Sequence, residues 1–297
     1  MSSGSLTADR RFAYAQSLKD DGDFAAAAEV MAQALEEAPR WAEGRFALAE
    51  LLATAGDHSG AIAAYRAYLE IEPVDSMGAG ARLALLGDAT ATSLPDAYVQ
   101  RLFDQYAPRF DSALVEKLHY KAPELLRAAI VAAAPGRRFA RTFDLGCGTG
   151  LAGAAVRDLT AWLGGVDLSP AMVRVADEKR IYDVLESGDM LKAVTALPQP
   201  CDLMLAADVL VYCGDLAPLF QAVARTCAGL FAFTVQRADS GTFNLGPEQR
   251  FNHSRAYILG LAVATGFTVL TLEETVTRQE KGADVPGLLA VLSRAPA

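Results

Sequence analysis

The residues able to do chemistry in this sequence gather around one glycine cluster and four acids. In FDLGCGTG, residues 143–150, Gly146, Gly148 and Gly150 alternate behind Asp144. Glycine lets a backbone turn sharply and leaves room for a ligand against it. A helix starting near Leu151 would present free N–H groups at the same place. A second acid, Asp167 in GVDLSP, stands 19 residues beyond Gly148, where a carboxylate can accept both hydroxyls of a ribose. SGDM then offers Asp189 and Met190 where an adenine edge would lie, and AADVLVY offers Asp208 and Tyr212. The set describes a crevice for a nucleotide-like cofactor.

Two cofactor classes compete for that crevice. GTGLAG, residues 148–153, formally satisfies the GxGxxG pattern of dinucleotide binders, and Asp167 could serve the ribose of either class. Asp144 separates them. A carboxylate just before the turn repels a pyrophosphate docked on the helix N-terminus but attracts an ammonium.

With those motifs in place, the chain from about Tyr98 onward resembles the class I S-adenosylmethionine-dependent methyltransferases. The resemblance implies that Asp144 and the loop of Gly146, Cys147 and Gly148 hold the methionine portion. It implies that Asp167, with its neighbour Leu168, holds the ribose, that Asp189 and Met190 meet the adenine, and that Asp208 faces the methionine end and the substrate. YVQRLFDQYAPRFD, from Tyr98 to Asp111, resembles the helix that lids the cofactor in several small-molecule methyltransferases, with Tyr106 over the site. Taken with the N-terminal repeats described below, nearly the whole chain resembles a bacterial group of tetratricopeptide-repeat methyltransferases.

Methyl transfer from a sulfonium is an in-line displacement that needs neither metal nor covalent nucleophile, so holding the acceptor and excluding water can supply most of the acceleration. An acceptor hydroxyl or amine would profit from a base. His253 is the candidate: of His58, His119 and His253, it alone follows the fifth strand and precedes a helix. Tyr212 could hydrogen-bond substrate or cofactor, and Asp208 stands at a strand end in the crevice. Arg250 and Arg255 flank His253 and could pair with a carboxylate-bearing acceptor. Cys147 reads as a small filler of the turn.

Positioning such residues takes a sheet. From Phe139, short apolar runs alternate with helical patterns, predicting a mostly parallel sheet with helices on both faces and the ligand outside the strand C-termini. The expected architecture is α/β, a seven-stranded sheet closed by an antiparallel C-terminal hairpin, over residues 96–297. A different object precedes it. Shifting the N-terminal segment by 34 residues superimposes Ala15 on Ala49, Leu18 on Leu52, Gly22 on Gly56, Asp23 on Asp57, Ala27 on Ala61, Leu35 on Leu69 and Pro39 on Pro73. That period resembles two tetratricopeptide repeats, with Arg11 and Arg45 at the usual Trp position. A capping helix around Gly78 to Leu86 completes a small all-α domain over residues 7–88.

Charge narrows the partners. The chain carries 27 Lys and Arg against 36 Asp and Glu, and seven units of the net −9 lie in residues 1–90. No basic run exists, which disfavours a nucleic-acid partner. Four cysteines without CxxC spacing, no apolar leader and no 18-residue apolar stretch point to a cytoplasmic protein without a membrane partner. The expected function is transfer of a methyl group to a small organic acceptor. Two alternatives stand beside it: a protein methyltransferase whose repeats recruit the acceptor, and a repeat-based interaction protein with an inactive methyltransferase domain. The repeat helices could also pair with a protein or with a second copy of the chain.

Overall fold

The computed structural model describes residues 2–112 and 120–294, which divide into two compact units, Met1–Tyr98 and Val99–Ala297. The first unit is helical: α1 (Leu6–Asp20), α2 (Phe24–Glu37), α3 (Ala42–Ala55), α4 (His58–Ile71) and α5 (Ala79–Leu85). Its repetition is visible in the turns. Gly22 and Gly56 take φ of +82° and +87°, ending α1 and α3 in the left-handed conformation that costs glycine least. Asp23 and Asp57 follow, and their carboxylates accept the N–H groups of Ala26 and Gly60 at 3.1 and 2.9 Å, capping α2 and α4. Ala15, Ala27, Ala49 and Ala61 are fully buried, so the paired helices meet over side chains of one methyl group each. Arg11 and Arg45 lie outside that core, donating to the carbonyls of Gln33 and Pro39.

The second unit starts within α6 (Asp96–Tyr106) and continues through α7 (Phe110–Ser112) and α8 (Ala122–Ala133) into a three-layer α/β body. Its strands are β1 (Phe139–Leu145), β2 (Thr160–Asp167), β3 (Val184–Ser187), β4 (Cys201–Ala206), β5 (Cys227–Ala238), β6 (Phe243–Leu245), β7 (Phe251–Ser254), β8 (Phe267–Glu280) and β9 (Ala283–Arg294). The intervening helices are α9 (Leu151–Val156), α10 (Pro170–Glu178), α11 (Met190–Thr195), α12 (Ala217–Thr226) and α13 (Arg255–Ala264). Strands β3-β2-β1-β4-β5 lie side by side in parallel, and β9 joins β5 antiparallel with β8 beyond it.

The central strands are apolar without alternation because both faces are covered. Leu203, Leu205, Leu230 and Ala232 pack on the α8 side with Leu126 and Ile130, while Met204, Ala206, Phe231 and Phe233 pack on the α12 side with Phe220 and Val223. Strand order reverses at β1, whose neighbours are β2 and β4, so a crevice opens beyond the C-terminal ends of β1 and β4.

The sheet has nine strands, not the expected seven. The two additional ones are three and four residues long and lie in DSGTFNLGPEQRFNHS, where Gly, Pro and polar residues leave no alternation to read. They form because β5 outruns β4, whose pairing with it ends at Ala206 and Phe233. Gln236, Arg237 and Ala238 pair in parallel with Asn252, His253 and Ser254 of β7, satisfying backbone groups that would otherwise lack partners.

Close approach of strands predicts one sensitive position. A Cβ on Gly229 of β5 would come within 2.1 Å of the Asp202 carbonyl oxygen on β4, a backbone atom with little freedom to move. Gly229→Ala should lower stability by about 1–3 kcal/mol, read as a shift of the urea unfolding midpoint against wild type.

Candidate active site

The turn after β1 is built from three left-handed glycines: Gly146 at φ +65°, Gly148 at +53° and Gly150 at +91°. Gly146 has a packing reason as well, since a Cβ there would lie 2.2 Å from Val209 in the loop after β4. Gly148 is the open one; its nearest neighbour would be Phe110 at 3.8 Å. Cys147 is buried, its N–H bonded to the Val166 carbonyl at 2.9 Å, and burial pushes its thiol well above the ordinary range. It fills the turn.

Gly153, which completes the GxGxxG match, serves a side chain of the protein itself. A Cβ there would meet the Tyr182 hydroxyl oxygen at 2.2 Å, and the same ring lies 3.0 Å from a Cβ on Gly150 and 2.8 Å from one on Gly165. Three glycines thus make room for one tyrosine. The Tyr182 hydroxyl donates to Oδ2 of Asp144 at 2.6 Å.

Asp144 is fully buried, and its Oδ1 has no hydrogen-bond partner among the described residues. Burial raises its pKa from 3.8 to about 7, and the charge of Asp167 adds to the rise against the opposing Tyr182 bond. Asp167, at the end of β2, accepts the N–H of Gly148 and of Ser169, each at 2.8 Å, while its burial also raises its pKa. Leu168 beside it is half-buried. Asp189 follows β3 and caps α11 by accepting the Lys192 N–H at 2.9 Å; Met190 packs partly against the main core. These three acids stand in order around the turn at the ends of β1, β2 and β3. An orphaned buried carboxylate oxygen beside an open glycine cradle fits a ligand carrying an ammonium, the chemistry expected of a methionine moiety.

The segment expected to act as a lid is docked by its acids. Asp104 of α6 accepts from the hydroxyl of Ser169 at 2.5 Å and from the Ala171 N–H at 3.3 Å, at the start of α10. Asp111 of α7 accepts from the Thr149 hydroxyl and pairs with Lys179 at 2.6 Å. Phe103, Tyr106 and Phe110 are therefore held at the turn. Phe103 and Tyr106 each meet Phe110 edge-on at 6.0 Å, and Phe103 meets Tyr212 edge-on at 5.3 Å. The sequence motif contained both aspartates, seven positions apart, although sequence reasoning assigned function only to the aromatics.

Asp208 takes φ of +56°, its N–H bonds to the Thr234 hydroxyl at 2.9 Å, and its carboxylate pairs with Arg278. Tyr212 is half-buried, with its phenol pKa raised by burial against a hydrogen bond from Arg250. Arg250 also donates to both oxygens of Glu280, at 3.0 and 2.8 Å. Tyr120 lies within electrostatic range of Asp208, Arg278 and Asp144, and burial holds its phenol well above the ordinary pKa. Sequence reasoning missed Tyr120, Tyr182, Arg278 and Glu280, and had placed Arg250 only as a partner for acceptor.

His253 stands elsewhere. It is fully buried on β7, with Nε2 at 2.9 and 3.0 Å from the carbonyl oxygens of Cys213 and Gly214. Two acceptors around Nε2 make it the protonated nitrogen. Burial lowers the pKa from 6.5 to about 4, so the ring is neutral. Tyr257 stacks on it at 6.1 Å and binds Asp215 and the Leu216 N–H, so both side chains pin the loop after Tyr212. Ser254 caps α13. Arg255 donates to the Leu272 carbonyl at 2.8 Å, away from the crevice. His58 heads α4 in the other unit, and His119 lies outside the described residues.

With this geometry in view, comparison with known proteins identifies both units. The tetratricopeptide-repeat family matches residues 18–85, and the methyltransferase-domain family matches residues 143–229. The chain carries a methyltransferase domain behind tetratricopeptide repeats. The malonyl-[acyl-carrier protein] O-methyltransferase of Enterobacter lignolyticus is 32% identical over 114 residues, 38% of this chain and 45% of that protein. The chain thus spans less than half the length of this curated relative. Among solved structures, the [4+2]-cyclase SpnF shares the fold at TM-score 0.53 and 17% identity, covering 67% of this chain and 96% of its own. The magnesium protoporphyrin IX methyltransferase of Synechocystis PCC 6803, with bound SAH, stands at TM-score 0.48 and 16% identity, covering 60% and 84%. A cyclase on this fold is a reminder that the site, not the fold, selects the reaction. Among the described residues of the methyltransferase domain and the repeats, no helix is long and apolar enough to cross a membrane.

The His253 clamp makes stability pH-dependent in a defined direction. Its folded pKa lies below the ordinary value, so its contribution is complete above pH 6.5 and is lost as pH falls toward 4. Urea unfolding at pH 7 and pH 4.5 should show wild type losing about 2–3 kcal/mol more than His253→Gln. Equal losses in the two proteins would remove the clamp.

Proposed function

We propose that this protein binds S-adenosylmethionine in the crevice beyond β1 and β4 and transfers its methyl group to a small organic acceptor. The observation that carries the reading is the buried Asp144 carboxylate, whose Oδ1 is unpartnered beside an open glycine turn, with Asp167 and Asp189 following at the next two strand ends. Its acid rejects a pyrophosphate and accepts an ammonium, and the glycine that mimicked a dinucleotide motif is taken up by Tyr182.

When bound, S-adenosylmethionine supplies a methyl group on a sulfonium, open to in-line displacement. The residues of the chain bind, orient and exclude water. Asp144 holds the ammonium through Oδ1 while Tyr182 fixes Oδ2, Asp167 takes the ribose hydroxyls, and Asp189 and Met190 meet the adenine. Phe103, Tyr106 and Phe110 cover the turn, replacing water with aromatic surface. Asp208 and Tyr212 line the acceptor side. His253, closed off and neutral, keeps the Tyr212 loop in place; positioning of the acceptor supplies the acceleration without it.

Isothermal titration with S-adenosylhomocysteine tests the reading, and binding of a nicotinamide dinucleotide instead would overturn it. Because an ammonium prefers Asp144 ionised and the free pKa is about 7, affinity should rise about tenfold between pH 6 and pH 8 and then level off. Asp144→Asn should bind more weakly and show no such rise. Asp167→Ala should lose about 1–3 kcal/mol of binding, the scale of hydrogen bonds to a charged group.

A further inference from the structure

The end of β8 leaves one buried cation with unused donors. Arg278 is 3% exposed; its Nη1 pairs with Asp208, and its Nη2 stands 3.9 Å from Glu280, too far for a hydrogen bond. Among the described residues neither Nε nor Nη2 has a hydrogen-bond partner, and both are shielded from solvent. Glu280 is already engaged, since Arg250 donates to both of its oxygens. Asp208 and Glu280 balance Arg250 and Arg278 in charge, so what the cluster lacks is acceptors.

The shape of the lack is specific. Nε–H and Nη2–H lie on one edge of a guanidinium and point in parallel, the edge that grips a planar pair of oxygens. A buried donor left empty costs free energy of the same order as a hydrogen bond, and two on one edge mark a place kept for something. The place is at the crevice. Asp208 follows β4, and Tyr120 lies within electrostatic range of Asp144, Asp208 and Arg278 together. Tyr212, half-buried beside Arg250, borders the same space.

We infer that the methyl acceptor is a carboxylic acid, gripped through its carboxylate by the Nε and Nη2 edge of Arg278. This rests on the methyl-transfer reading for the word acceptor, while the carboxylate subsite stands on the arginine geometry. Asp208 orients the fork from its far side by holding Nη1, and Arg250 keeps Glu280 from filling it. A lysine at this position would keep the charge and lose the fork.

The test uses the full chain labelled with 15N-arginine and follows the Arg278 Nε–H resonance, assigned by its loss in Arg278→Lys or by through-bond correlation where that variant fails to fold. Sodium acetate, acetamide and sodium chloride are titrated in turn at constant ionic strength, with and without S-adenosylhomocysteine. Acetate should shift the resonance saturably and bind at least about tenfold more tightly than acetamide, as a charge-assisted bidentate pair requires; chloride should leave it in place. An unmoved resonance, or equal shifts with acetate and chloride, would overturn the carboxylate subsite. Failure of S-adenosylhomocysteine to bind is read separately, by calorimetry on the same sample, and counts against the methyl-transfer reading while the acetate arm still decides the fork.

Discussion

A carboxylate buried at the end of β1 sets the terms for the rest of the methyltransferase domain. Asp144 has no exposure and, among the described residues, one side-chain hydrogen bond, and a buried charge of that kind is costly unless something completes it. Tyr182 supplies half of the completion, and the chain gives up side chains at Gly150, Gly153 and Gly165 to let that ring in. The other half, Oδ1, has no partner among the described residues. The positive-φ glycines of the turn, the neighbouring acid Asp167 and the lid all take their positions around this one unsatisfied oxygen.

Around that centre, polar contacts do the positioning and aromatic contacts do the sealing. Asp104 and Asp111 fasten their segment to the start of α10 and to Thr149 of the glycine turn, which brings Phe103, Tyr106 and Phe110 to rest where a loose amphipathic helix would not stay. Val209, in the gap left by the missing Cβ of Gly146, locks the β1 turn to the loop after β4. His253 and Tyr257 hold the far end of the same loop. The acceptor side is therefore assembled from elements that are each held by contacts away from the crevice.

The long C-terminal hairpin gains a second purpose in this arrangement. Its pairing through β9 extends the sheet beyond β5, but β8 also carries Arg278 and Glu280 to where they meet Asp208 and Arg250. Among these four alternating charges Arg250 and Glu280 reach solvent while Arg278 is shut in, and its unfilled edge is the exception that points to a ligand.

The sequence by itself determined the features that are local in the chain. The 34-residue repeat, its Gly-Asp turns, the β1 turn with its glycines, and the order of acids after β1, β2 and β3 all depend on neighbours within a few residues, where φ preferences, caps and apolar runs act directly. Tertiary structure decided what depends on distant partners. Gly153 read as part of a cofactor motif until Tyr182, 29 positions away, was found in its space; His253 read as a candidate base after the fifth strand until the carbonyls of residues 213 and 214 were found around its Nε2. Arg278 carried no signal at all, because an arginine in a polar hairpin looks solvated until folding buries it against Asp208, 70 residues earlier. The strands β6 and β7 were hidden for the same reason: three or four residues cannot show a period, and only the unpaired end of β5 gives them a partner.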